Sequence, residues 1–90
     1  MIYTTEVHMS PGGSGHQHIA SVRWRNPTSG ETGENTRAEM VTWINDGGDA
    51  RVRDDHGNDV RVRVIDASPA YIQTYADGVP TDNLLWLPRY

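Results

Sequence analysis

Arginine placement is the feature of this sequence with the clearest chemical content. Arg51 and Arg53 flank Val52, while Arg61 and Arg63 alternate with Val60, Val62 and Val64. In extended backbone, successive side chains point to opposite faces. A core that takes the valines therefore sends four guanidiniums out on one side. Each guanidinium offers a rigid fork of donors that matches carboxylate or phosphate, so the pattern fits an anion-bearing partner. A simpler reading is a surface that neutralises itself. Asp54, Asp55 and Asp59 lie between the two runs, and Asp49 and Asp66 flank them.

A second group of polar residues, Asp77, Thr81, Asp82 and Asn83, crowds into seven positions. Two carboxylates so placed can act as acid and base or orient a small ligand. The same residue types also build turns and caps by bonding nearby backbone N–H groups. His16 and His18 form an H-x-H pair, but zinc takes three or four ligands and no acidic ligand follows at a telling spacing. His18 is assigned to a strand and His16 to a loop. The run DDHGND lacks the glycine at the sixth position of a calcium loop. Ser14, within PGGSGH, matches neither a nucleophile elbow nor a glycine-rich loop leading into a helix. No catalytic residue, metal or cofactor is expected.

These residues need elements to position them. Residues 2–8 read as a strand with Tyr3, Thr5 and Val7 on one face and Ile2, Thr4 and Glu6 on the other. Residues 18–25 form a second strand, with Ala20, Val22 and Trp24 opposite Ser21, Arg23 and Arg25. NPTSGETGEN is read as a polar loop. Thr36 and Glu39 have capping-box spacing, and Met40, Val41 and Ile44, joined by Ala38 or Trp43, make an apolar stripe. Gly47 and Gly48 stop that helix after about ten residues. It is too short to stand alone and must lie on a sheet. Residues 50–53 and 60–65 read as a hairpin, and 71–76 as a fifth strand. Asp77-Gly78 turns the chain, and TDNLLWLP closes it as a turn or helical stub. The expected fold is α+β: one domain over residues 1–90, with a small antiparallel or mixed sheet of about five strands in the order β-β-α-β-β-β. One helix packs on one face.

Composition removes several function classes. The chain has no cysteine, which excludes disulfides and thiolate chemistry, and no lysine, which excludes Schiff bases and a phosphate-loop lysine. A disulfide-free domain of 90 residues points to a reducing compartment. No apolar run reaches bilayer length and MIYTTEVHMS lacks signal-peptide character, so the cytoplasm is the expected location, with no membrane partner. The net charge of -4 argues against a general affinity for nucleic acid. Trp24, Trp43 and Trp86 lie in three segments and are expected to tie them together, with one of them a candidate contact residue.

The C-terminal run YIQTYADGVPTDNLLWLP carries the pattern YI-x-T-x-ADG-x-x-TDNLL-x-LP. It resembles the signature of a bacterial and phage family of domains of unknown function, about 90 residues long. HIASVRW and TRAEMVTWINDGG are similar to that family's second strand and capped helix. The resemblance implies a fold unit without an activity, substrate or cofactor. Its matching residues, among them Tyr71, Thr74, Gly78, Leu84 and Leu85, fit a structural role as well as a site.

The functional expectation is a non-enzymatic interaction module. Its contact surface is the face of Arg51, Arg53, Arg61 and Arg63, and its partner an acidic or phosphate-bearing molecule. A homodimer through a strand edge or a tryptophan is a further expectation. The alternative is a small-ligand binder or enzyme centred on Asp77, Thr81, Asp82 and Asn83. Nucleic-acid binding is the third reading, and the acidic total opposes it.

Overall fold

The computed structural model describes residues 1–90. It is a small α+β fold with seven strands and one α-helix. The strands are β1 (Ile2–Met9), β2 (Ile19–Arg25), β3 (Thr32–Thr36), β4 (Ala50–Arg53), β5 (Asp59–Ile65), β6 (Tyr71–Ala76) and β7 (Val79–Thr81). The helix α1 (Arg37–Asn45) lies between β3 and β4, and a 3-10 turn (His16–His18) precedes β2. The spatial order is β3-β2-β1-β4-β5-β6-β7. All neighbours are antiparallel except β1 and β4, which run parallel over Ile2↔Ala50 and Tyr3↔Arg51. The sheet is therefore mixed.

Two strands exceed the expected five. The polar run after β2 holds β3, because the Asn26 carboxamide accepts from the N–H groups of Thr28 and Ser29 and turns the chain back on β2. The run after Asp77-Gly78 holds β7. Asp77 and Gly78 both have positive φ (52° and 78°), the geometry of a two-residue hairpin whose twist matches its strands. Thr81 Oγ1 then donates to Thr74 Oγ1 at 2.7 Å, which fixes β7 on β6.

Strict alternation also fails in β1. A register irregularity between Thr4 and Glu6 inserts Thr5 as an extra residue. Val7 consequently joins Ile2 and Thr4 on the core face, while Tyr3 points the other way with Arg25 and Arg51, its cross-strand neighbours. The expected grouping of Tyr3, Thr5 and Val7 is thus corrected. A second irregularity, near Ala20, leaves Val22 and Trp24 facing the core without it.

The helix begins as its spacing predicts. Thr36 Oγ1 accepts from the Glu39 N–H at 3.2 Å, and Glu39 Oε1 accepts from the Thr36 N–H at 2.8 Å. Gly47, with φ of 100°, ends it. Met40 is buried in a core that includes Ile2, Val7, Ile19, Val22, Val52, Val62, Ile72 and Leu84, with Val41 and Ile44 packed against it. The helix covers that side of the sheet. The tyrosines, arginines and glutamates of the other side have no element over them.

No helix is long and apolar enough to cross a membrane. Trp24 packs half-buried on the core, but Trp43 and Trp86 are 38% and 72% exposed. The expectation that all three tie the chain together holds for Trp24 alone.

Candidate functional site

The period-two reading of the hairpin positions the arginines. Val52, Val60 and Val62 are buried, and Val52 pairs with Val60 across β4 and β5. Burying each valine contributes about 1.5–3 kcal/mol. Repulsion between solvent-screened guanidiniums is small beside that total. The valines therefore set the register, and Arg51, Arg53, Arg61 and Arg63 follow onto the open face.

The register extends that face across the sheet. One cross-strand row runs Arg25, Tyr3, Arg51, Arg61, Tyr75, from β2 to β6. Arg23 lies on the same side, paired with Glu6 and Glu34 on its neighbouring strands. Six of the eight arginines thus share one face with the four carboxylates that pair with them, those of Glu6, Glu34, Asp49 and Asp59. Six minus four leaves an excess of two positive charges there. With -4 for the whole chain, the remaining surface carries six excess negative charges.

The guanidiniums of the hairpin are not equivalent. Arg51 is held by two bonds to Asp49, Nε to Oδ1 at 3.0 Å and Nη2 to Oδ2 at 2.9 Å, and reaches Asp59 at 3.4 Å. Those Arg51 hydrogen bonds hold the Asp49 carboxyl below the usual range and raise the Arg51 guanidinium in turn. Arg53 donates to the Tyr3 hydroxyl at 2.5 Å and lies over the Tyr3 ring, 4.7 Å from its centroid. Tyr3, before Asp59 at 3.5 Å, raises its pKa. Arg61 approaches Asp49 only at 3.8 Å. Arg63 meets no carboxylate and stands 5.7 Å from the Tyr75 ring centroid. Arg25, 5.7 Å from the Tyr3 ring, is likewise free of carboxylates.

Two of the aspartates expected to neutralise the hairpin do so, Asp49 and Asp59. Asp54 is spent within the loop. Its Oδ1 accepts from the N–H groups of His56 at 2.9 Å and Asn58 at 2.8 Å, and the Asn58 bond foremost lowers its pKa. Asp55 and Asp66 reach no arginine. Arg61, Arg63 and Tyr75 line two adjoining hollows. One, of about 450 Å³, is bounded by Gly47 and Gly48; the other, of about 550 Å³, by Asp59 and Asp77.

The second predicted group separates into turn parts. Asp77 is the first residue of the β6–β7 turn. Thr81 bonds Thr74, and Thr74 Oγ1 also donates to the Thr81 carbonyl at 3.1 Å. Thr74 Oγ1 lies 3.4 Å from the Leu84 N–H, the role assigned from sequence to the polar residues of the turn itself. Asp82 and Asn83 serve through their backbone carbonyls, which accept from Leu85 and Trp86. Neither Asp77 nor Asp82 forms an ion pair; Asp77 lines the hollow of about 550 Å³ beside Arg61 and Arg63, while Thr81, Asp82 and Asn83 lie outside both arginine hollows.

Sequence reasoning placed His16 in a loop, and this is corrected. The His16–His18 turn buries His16 to 8% exposure and leaves its Nε2 without a partner. Burial pushes its pKa down, with the Asp82 charge acting in the opposite sense. No signal within ten residues of His16 announces that neighbour. His18 Nδ1 accepts from the Gly15 N–H at 3.1 Å, and no group of three or more His, Asp or Glu side chains is placed to hold a metal ion.

No curated protein and no solved structure matches the chain. The family profile described as "Protein of unknown function (DUF3892)" matches residues 3–88, which takes in every strand but the first residue of β1, the helix and the arginine face. The chain belongs to this family of proteins of unknown function.

Proposed function

We propose that this protein is a non-enzymatic interaction module that uses its open sheet face to engage a carboxylate- or phosphate-bearing partner. The observation that carries the reading is the burial of the hairpin valines beneath a face with more guanidiniums than carboxylates. Arg51 and Arg53, tied to Asp49, Asp59 and Tyr3, frame the surface. Arg61 and Arg63 keep donors free, and of the two hollows they border the one beside Gly47 and Gly48 has no carboxylate in its lining, so they make the contact there.

An acidic protein suits this surface better than duplex nucleic acid. Two phosphate contacts, from Arg61 and Arg63, predict a log–log salt slope of only about -1.8, and the acidic remainder of the molecule repels a long polyanion. The test is capture from host lysate by the unaltered protein and by an Arg61→Glu/Arg63→Glu variant, with circular dichroism to verify the fold. A specific acidic partner is retained by the first and lost by the second. Equal recovery by a folded double variant removes the reading.

A further inference from the structure

On the side of the sheet opposite the arginine face, a small cleft lies between α1 and the β2–β3 edge. Its lining is Ile2, Trp24, Asn35, Glu39, Met40 and Trp43, and its volume about 220 Å³. Ile2 and Met40 belong to the core and form its apolar floor. Trp24 Nε1 donates to Asn35 Oδ1 at 2.7 Å, which fixes one indole in place.

Both indoles rest on glycines. A Cβ on Gly33 would stand 2.4 Å from Trp24 Cζ2, and one on Gly48 2.3 Å from Trp43 Cδ2. Neither glycine has positive φ, so backbone conformation does not require them. Their missing side chains let the tryptophans lie where they do. Trp43 keeps this position while 38% exposed, without the burial that ordinarily holds a tryptophan.

The charge of the lining is one-sided. Glu39 is its only ionisable residue, and no arginine borders it. Glu39 Oε1 is held by the Thr36 N–H, and that bond favours the charged form. Aromatic faces with a carboxylate attract an alkylated ammonium, whose charge is spread over methyl groups and is readily desolvated. At about 30 Å³ for each water-sized unit, the cleft holds roughly seven heavy atoms. That is the size of a free choline-type cation.

We infer that the cleft between Trp24 and Trp43 is a binding site for a small quaternary ammonium cation, with Glu39 as its counter-charge.

The probe is choline, followed by the indole N–H signals in two-dimensional NMR spectra of the whole chain. Choline shifts the Trp24 and Trp43 signals saturably and leaves Trp86 unmoved, giving an internal control in one sample. The neutral isostere 3,3-dimethylbutan-1-ol then binds at least about tenfold more weakly, equivalent to ~1.4 kcal/mol. Glu39→Gln, which keeps a capping side chain, weakens choline several-fold. A peptide bearing trimethyl-lysine serves as the comparison arm, and free choline binds at least as tightly. Absence of saturable shifts overturns the inference, as do equal affinity for the neutral isostere, equal shifts at Trp86 or a clear preference for the peptide.

Discussion

His16 shows how one side chain links burial to solution behaviour. Its imidazole is 8% exposed with Nε2 unpaired, and burial lowers its pKa below the ordinary value of about 6.5. Above that value both folded and unfolded chains hold it neutral, and its contribution is independent of pH. As pH falls through about 6.5, the unfolded chain takes up a proton that the folded chain resists, so stability declines. Urea denaturation at pH 7.5 and pH 5.5 measures this loss. His16→Asn flattens the difference between the two conditions. The Asp82 charge opposes the shift, so Asp82→Asn steepens the decline. That outcome also separates Asp82 from a capping role, since Thr74 makes the side-chain bond in this turn.

At the scale of elements, the sequence was legible where a local rule acted alone. Thr36 and Glu39 announce the start of α1 because the capping box needs only residues three apart. The valines of β4 and β5 announce their own burial because each run is regular and one face is taken by the core. It was silent where an element depends on a distant neighbour. Thr32–Thr36 is wholly polar and becomes β3 only because β2 offers it an edge, and Val79–Thr81 is a strand only through its pairing with β6. The inserted Thr5 likewise reverses the sides of β1 with no marker in its own residue type. The candidate site shared this limit. Its four arginines were readable from β4 and β5, but Tyr3, Arg25 and Tyr75 join them only through register. The β6–β7 turn supplies the prediction at this scale. Gly78 has φ of 78°, a region that costs a residue with Cβ about 1–2 kcal/mol. Gly78→Val therefore lowers the urea midpoint by that amount of stability, and Gly78→Asn by less, since asparagine tolerates this conformation.

For the whole molecule, the sheet is two antiparallel sets, β3-β2-β1 and β4-β5-β6-β7, joined along β1 and β4 by only two residue pairs. The C-terminal residues reinforce that join. The Val7 N–H donates to the Pro88 carbonyl at 3.0 Å, and the Tyr90 N–H donates to the Val7 carbonyl at 3.1 Å. Tyr90 also bonds Ser21 through its hydroxyl at 2.8 Å and receives the Arg23 guanidinium 4.0 Å from its ring centroid. Tyr90→Ala removes the hydroxyl bond and the ring together and lowers stability by roughly 2 kcal/mol, read from chemical denaturation. The kinetics of this join follow from its span. Residues 7 and 90 close the longest loop in the chain, and loop-closure entropy defers such contacts until shorter ones have formed. In stopped-flow measurements the Tyr90→Ala loss accordingly falls on the unfolding rate, with refolding nearly unchanged, because this last seam is still open when the chain crosses its barrier.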